Sequence, residues 1–309
     1  MVILFYSLSD GPAPWREALG RALPGLDFRV WPQTGDPDEI EYALVWKPPP
    51  GWLKQFRRLK AILSLGAGVD HLFLDPELPR GMPITRMVDA GLADQMSEYA
   101  VYGVLHFHRD MGLYAEQQRR AQWRQLTAVP ATQRTVGVMG VGVLGSDFVR
   151  KLLPLKFPVV TWSRRPHPLP GVEAFHGAEL FEAFLARTQI LVNFLPLTAQ
   201  TEGLLHAGTL AKLPRGACLV NLARGGHVVE ADLLAALDNG QIGGAMLDVF
   251  AQEPLPPDHP FWRHPKVVIT PHIGGQAIAE LMVSQVVDNV RRIERGQAPL
   301  GIVDPTRGY

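Results

Sequence analysis

Apolar positions along the chain fall into short runs separated by longer stretches in which they recur every three or four residues. The runs at 2–6, 42–46 and 61–65 are rich in branched and aromatic side chains and predict buried strands. Between them, 14–22 and 52–59 carry helical spacing. A longer helical pattern over 97–122, with Tyr99, Tyr102, Val104, Leu105 and Phe107 on its apolar faces, follows a first unit that ends near Met96. A second series predicts strands at 135–139, 159–162, 190–194, 217–221, 244–248 and 267–270, then a last helix at 277–296. Strands alternating with helices imply parallel sheets covered on both faces, so the chain reads as α/β with doubly wound sheets. The simplest topology inserts a domain of 98–276 into a partner domain built from 1–97 and 277–309.

A length of 309 residues suits two domains, and 47% hydrophobic with 19% charged residues describes an ordinary globular core. Thirty basic and thirty acidic side chains cancel, so no general field draws the chain to nucleic acid or an anionic bilayer. No apolar run approaches the roughly 18–20 residues that cross a membrane. The first run is too short for a signal-peptide core, and a soluble, cytoplasmic protein is expected. The single cysteine, Cys218, excludes an internal disulfide and a cysteine-based zinc site. It sits in a strand run and reads as an inert buried residue. His106 and His108, two positions apart, face different sides of a helix and cannot grip one metal ion there.

Chemistry enters at the first strand of the second series. It runs into Gly140-Val141-Gly142-Val143-Leu144-Gly145, a G-x-G-x-x-G pattern placed between a strand and a helix. The first glycine permits a tight turn, the second lets backbone approach a pyrophosphate, and the third allows the helix to pack closely on the strand. The helix N-terminus, with the amides of Val143, Leu144 and Gly145, adds donors and positive dipole. Six strands around this loop suit a dinucleotide-binding sheet. An NAD-preferring site places an acidic residue about 20 residues further on, but here the next strand ends in Trp162-Ser163-Arg164-Arg165. A guanidinium can hold a 2′-phosphate bidentately, which favours NADP. The alternative is two solvated surface arginines.

Three further residues lie just beyond predicted strand ends, the edge at which open α/β sheets bind ligands. They are Arg224 in Asn221-Leu222-Ala223-Arg224-Gly225-Gly226, Glu253 before Pro254, and His272 after Pro271. Each alone has an ordinary explanation as a surface charge, a turn cap or a loop hydrogen bond. Together they suit reduction of a 2-oxo acid. A guanidinium fork can hold the carboxylate and polarise the neighbouring carbonyl. An imidazolium can give its proton to the oxygen at C2, and a carboxylate on its other nitrogen would fix the tautomer and favour the charged ring.

In that order and combination, VGVMGVGVLG, NLARGG, LDVFAQEPLP and TPHIGG resemble the D-isomer-specific 2-hydroxyacid dehydrogenases over nearly the whole chain. The segments Val45-Trp46-Lys47-Pro48-Pro49, Asp94-Gln95-Met96-Ser97-Glu98-Tyr99-Ala100, Trp162-Ser163-Arg164 and Arg307-Gly308-Tyr309 are similar to a glyoxylate/hydroxypyruvate reductase subgroup that prefers NADPH. The resemblance implies a Rossmann nucleotide-binding domain inserted into a flavodoxin-like substrate domain. It also implies NADPH as cofactor, with NADH weaker, a small 2-oxo acid as substrate, and a homodimer formed through the nucleotide-binding domain, whose arm would include 116–124.

Carried over by residue, Arg224 binds substrate, His272 donates the proton and Glu253 partners it. Leu65, Gly66, Ala67 and Gly68 match the loop whose amides grip the substrate carboxylate, where bare glycine backbone lets a small anion approach. Trp46 either lines the pocket or packs in the core. Ser163, Arg164 and Arg165 fall at the adenosine end of the cofactor, and Leu195 and Pro196 lie in the segment passing its ribose. Leu222 and Ala223 lie in the cofactor-facing part of NLARGG, and Asp248 matches the position that orients the nicotinamide amide. Family members commonly place alanine where this chain has Gly274, a departure that could loosen the loop beside the catalytic ring. Two other readings stand beside this one: an NAD-linked dehydrogenase for a larger 2-hydroxy acid, and a non-catalytic, cofactor-sensing binding protein.

Overall fold

Ile3 and Leu4 in the first strand, β1 (Val2–Ser7), bury completely although they point to opposite faces. That is the pattern of a parallel strand covered on both sides. With β2 (Asp27–Val30), β3 (Tyr42–Trp46), β4 (Ala61–Ser64) and β5 (Ile84–Thr85) it forms a five-stranded sheet in the order β2-β1-β3-β4-β5. Every pairing is parallel, and the order is the flavodoxin-like one. Helix α1 (Pro12–Ala22) opens on a proline in its first turn and buries Trp15, Ala18 and Leu19. A short helix, α2 (Asp70–Phe73), follows the loop after β4.

The computed structural model describes residues 1–88 and 91–304. It separates into two units, Met1–Leu92 with Gln276–Tyr309, and Ala93–Gly275. Arg307, Gly308 and Tyr309, which contributed to the family resemblance, lie outside the described residues.

Three expectations are corrected here. The helical spacing at 52–59 closes only one 3₁₀ turn, Leu53–Gln55. Trp52, Leu53, Phe56 and Leu59 share a buried cluster, so their spacing records burial rather than a helix. The stretch at 97–122 is two helices, α3 (Leu92–His108) and α4 (Met111–Arg119), broken where Asp110 adopts φ +54°. Aspartate tolerates that left-handed conformation better than most residues. Finally, β2 and β5 were not expected. They are the two edges of their sheet, with four and two residues, too short for a period to show.

The second unit carries seven parallel strands in the order β12-β11-β10-β9-β6-β7-β8. They are β6 (Val136–Met139), β7 (Val159–Ser163), β8 (Glu173–His176), β9 (Ile190–Asn193), β10 (Ala217–Asn221), β11 (Ile242–Leu247) and β12 (Val267–Ile269). Six match expected runs. The seventh, β8, is an edge strand of sequence EAFH, and its polar composition hid it. Alternation sorts the inner strands onto two cores. Leu191, Leu219 and Ala245 enter one cluster, while Val192, Val220 and Met246 enter the other. Helices α5 (Val143–Leu152), α6 (Phe181–Ala186), α7 (Ala207–Leu210) and α8 (Glu230–Asp238) connect the strands. The strand order reverses between β6 and β9, the switch point at which such sheets bind dinucleotides.

The last helix, α9 (Ala279–Glu294), belongs to the first unit. Glu294 accepts a hydrogen bond from the buried Tyr42 hydroxyl at 2.5 Å, and Gln285 accepts one from the Val88 amide at 3.2 Å.

Candidate active site

The glycine loop leaves β6 at the switch point. Gly140 has φ +87°, and a Cβ there would stand 2.9 Å from the backbone of Phe194 and Leu195. A Cβ on Gly145 would come within 2.0 Å of the Gly140 carbonyl oxygen, so helix and strand could not approach as they do. Gly142 differs. It caps α5 without a side-chain hydrogen bond, and a Cβ there would meet no atom within 4 Å. The protein's own packing therefore does not require glycine at 142, whereas a phosphate on the amides of Val143, Leu144 and Gly145 would. The loop fits a pyrophosphate.

At the end of β7, Arg164 and Arg165 are exposed, and the Ser163 hydroxyl donates to the Arg165 carbonyl at 2.7 Å. Beyond β9, Leu195 is buried and Pro196 exposed. The Pro196 carbonyl accepts from the Thr201 hydroxyl at 2.7 Å. Leu222 and Ala223 follow β10 and are buried.

Three loops beyond β10, β11 and β12 carry Arg224, Glu253 and His272, all half-buried. Glu253 Oε2 lies 2.9 Å from His272 Nδ1, and Glu253 Oε1 accepts from the Phe250 amide at 3.1 Å. The carboxylate is thus fixed to its own loop while it holds the ring. Gly225, next to Arg224, packs on that same loop. A Cβ on Gly225 would stand 1.8 Å from the Phe250 carbonyl carbon and 2.3 Å from the Ala251 nitrogen. Only a residue without a side chain lets the arginine loop lie against the glutamate loop. The Arg224 guanidinium is oriented by donation from Nη1 to the Ala223 carbonyl at 2.7 Å. Asp248, assigned by resemblance to the nicotinamide amide, turns its carboxylate onto residues 270–274.

In the first unit, Trp46 ends β3 and is half-buried. It packs on the loop after β4, where a Cβ on Gly66 would stand 2.3 Å from the indole ring. Leu65 is buried and donates its amide to the Val45 carbonyl at 3.0 Å, and the Gly66 amide donates to the Ser64 hydroxyl at 3.3 Å. Ala67 and Gly68 are half-buried at the same sheet edge.

Sequence reasoning passed over a buried amide pair. Asn193 and Asn221 are register partners at the ends of β9 and β10, with Asn193 Nδ2 donating to Asn221 Oδ1 at 3.1 Å. Asn221 Nδ2 in turn donates to the Arg224 carbonyl at 3.0 Å, and Asn193 Oδ1 accepts from the Leu195 amide at 3.1 Å. This pair ties the arginine loop to the segment at 195–196. The available signal was a polar residue closing two otherwise apolar strands. His227 was also missed. It is fully buried, with Nδ1 3.1 Å from the Arg224 carbonyl and Nε2 3.2 Å from the Pro196 carbonyl.

Cys218 is buried, and burial pushes its thiol up to about 12, which leaves it no thiolate to use as a nucleophile near neutrality. Among the described residues, no group of three or more His, Cys, Asp or Glu could hold a metal ion, and no helix is long and apolar enough to cross a membrane.

Residues 101–274 match the NAD-binding domain of the D-isomer specific 2-hydroxyacid dehydrogenases. The chain is 44% identical over 315 aligned residues to a glyoxylate/hydroxypyruvate reductase A of Serratia proteamaculans, covering 100% of both chains. It is 43% identical to the protein of that name from Yersinia enterocolitica, again covering 100% of both. Among solved structures, it resembles a D-isomer specific 2-hydroxyacid dehydrogenase from Xanthobacter autotrophicus Py2 in complex with NADPH and MES. The TM-score is 0.95 and the identity 44%, over 100% of this chain and 99% of that one. An NADPH-dependent glyoxylate/hydroxypyruvate reductase from Sinorhizobium meliloti, in complex with NADP and sulfate, gives a TM-score of 0.94 at 38% identity, over 100% and 99%.

Proposed function

Because the chain belongs to the D-isomer-specific 2-hydroxyacid dehydrogenases, we infer that it is an NADPH-dependent reductase of glyoxylate and hydroxypyruvate, yielding glycolate and D-glycerate. The observation that carries this reading is the Glu253–His272 pair at 2.9 Å, with the Arg224 loop packed on the same backbone, at the carboxyl edge of a dinucleotide-type sheet. When bound, the reduced nicotinamide supplies the hydride that reaches C2 of the substrate.

The chain's own residues do the rest. Gly140, Gly142 and Gly145 with the first turn of α5 hold the pyrophosphate. Ser163, Arg164 and Arg165 receive the adenosine 2′-phosphate, and Leu195, Pro196, Leu222 and Ala223 line the cofactor's path. Arg224 binds the substrate carboxylate and polarises the carbonyl beside it. Glu253 accepts from His272 Nδ1, so the ring presents Nε2, whose proton goes to the oxygen at C2 as the carbonyl becomes a hydroxyl. In the first unit, the amides of Ala67 and Gly68 bind the substrate carboxylate, Leu65 and Gly66 set the turn, and Trp46 backs it.

The test is a kinetic panel of 2-oxo acids against both reduced nicotinamides, followed by loss of nicotinamide absorbance. Fastest turnover is expected for glyoxylate and hydroxypyruvate with NADPH. Preference for a bulky 2-oxo acid with NADH would replace this reading with the NAD-linked one. Tight NADPH binding without turnover of any acid would make the protein a cofactor sensor.

Replacing Arg164 and Arg165 together by alanine is expected to lower the NADPH/NADH ratio of kcat/KM by about 10- to 100-fold, since charged hydrogen bonds contribute roughly 1.5–3 kcal/mol each. An unchanged ratio would leave both as solvated surface residues.

The proposal includes a homodimer formed through the nucleotide-binding unit. It is supported by large apolar side chains exposed on α3, α4 and the segment beyond: Tyr102, Met111, Leu113 and Trp123, the last with no buried surface. Sedimentation should find a dimer for the parent protein and a monomer for Leu113→Asp with Trp123→Asp; a parent monomer would end the idea. A cytoplasmic location goes with this reading, because the lone cysteine suits a reducing compartment. Fractionation placing the activity elsewhere would count against it.

A further inference from the structure

Three consecutive backbone amides beside the catalytic ring end on one residue. His272 N donates to the Asp248 carbonyl at 2.9 Å, Ile273 N to Asp248 Oδ1 at 2.8 Å, and Gly274 N to Asp248 Oδ2 at 2.8 Å. Asp248 is 1% exposed, so these bonds form away from water. They hold a turn in which His272 adopts φ +57°. A non-glycine residue in that left-handed region is strained and persists where its surroundings over-determine it.

A second set of bonds steadies the carboxylate. Thr270 Oγ1 donates to Asp248 Oδ1 at 2.6 Å, and the Tyr99 hydroxyl lies 2.6 Å from Thr270 Oγ1. A carboxylate has no proton to give, so the single threonine proton is committed to Asp248. Tyr99 is therefore the donor to Thr270. Burial raises the Tyr99 phenol above its ordinary range, the Asp248 charge adds to this against the opposing Thr270 contact, and the hydroxyl stays protonated. The hydrogen bonds run one way, from α3 through Thr270 to Asp248.

Gly274 completes the arrangement. A Cβ there would stand 2.9 Å from Asp248 Oδ2 and 3.6 Å from Leu222 Cβ. Glycine at 274 leaves room for the carboxylate to come up to its amide, and that bond ties the loop to Asp248.

We propose that Tyr99, Thr270 and Asp248 are positioning residues that set the His272 imidazole for proton delivery through the 272–274 backbone. This rests on the reading of His272 as proton donor. Asp248 then has a role toward its own chain beyond any contact with the nicotinamide, and Tyr99 and Thr270 act on the chemistry without touching substrate.

The test uses Thr270→Val, which keeps the shape and removes the hydroxyl, with Thr270→Ser as rescue and Tyr99→Phe as the outer link. Thr270→Val is also combined with His272→Asn. Displacing a catalytic group by a fraction of an ångström is expected to lower kcat about 10- to 100-fold in Thr270→Val, with the KM for NADPH held within about twofold. Thr270→Ser should recover most of the loss, and Tyr99→Phe should lose about three- to tenfold. In the His272→Asn background, Thr270→Val should cost nothing further. Without substrate, amide hydrogen exchange at Ile273 and Gly274 should accelerate in Thr270→Val.

Parent-like kcat and exchange in Thr270→Val would overturn the proposal. So would an equal fold-loss in both backgrounds, which would show that the threonine does not act through His272. If His272→Asn alone turns over like the parent, the proton-donor reading fails instead, and the exchange result still reports whether the loop is pinned.

Discussion

His272→Asn is expected to lower kcat for glyoxylate reduction by about 10²–10⁴-fold, the usual contribution of a positioned general acid, while NADPH affinity should stay within about twofold because the ring acts in the chemical step. Asparagine is the informative replacement. Position 272 has φ +57°, and asparagine enters the left-handed region more readily than alanine, so the turn is kept and the imidazole is lost. The geometry makes the role specific. With Nδ1 held 2.9 Å from Glu253 Oε2, the proposal assigns proton delivery to the other ring nitrogen, Nε2. Stopped-flow and steady-state rates for parent and variant, with NADPH affinity measured alongside, check both parts. Near-parent turnover by the variant would remove His272 from the mechanism.

Arg224→Ala comes second. Removing one partner of a desolvated charge pair typically costs about 2–5 kcal/mol, which corresponds to roughly 30- to 5,000-fold in kcat/KM for the 2-oxo acid. NADPH binding should change little. Arg224→Lys distinguishes charge from shape, because an ammonium keeps the charge without the planar fork that matches a carboxylate and an adjacent carbonyl. It should recover less than about a tenth of the lost activity. Full recovery by lysine would mean that a point charge suffices, and parent-like kinetics in Arg224→Ala would mean that another group holds the substrate. The Nη1 bond to the Ala223 carbonyl at 2.7 Å is why the fork matters here. The guanidinium plane is oriented before substrate arrives.

Much of this protein was readable as pattern. Strands buried on both faces, such as β9 and β10, announce themselves as unbroken apolar runs, and the residue that ends each run marks the sheet edge where ligands bind. The glycine loop was legible because its positions follow from local geometry, with a turn at 140 and a close approach at 145. Edge strands were not. In β8, EAFH pairs with β7 through register contacts such as Val160↔Glu173, and nothing in four mixed residues signals that neighbour. The break at Asp110 was hidden for a related reason. One left-handed residue ends a helix without disturbing the apolar spacing on either side.

The site divides along the same line. Residue types and strand-end positions for Arg224, Glu253 and His272 came from the amino-acid order, because they follow periodicities a few residues long. The contacts among them did not. Glu253 and His272 lie 19 residues apart, and Thr270 and Tyr99 are separated by 171. Whether such groups touch depends on which strands are neighbours, in what register, and how each loop turns as it leaves the sheet. Asp248 is the sharpest case. Its place at the end of the β11 run was evident from the sequence, but the direction of its carboxylate, toward the amides of residues 273 and 274, was set only when β11 and β12 paired and brought the two loops to the same edge.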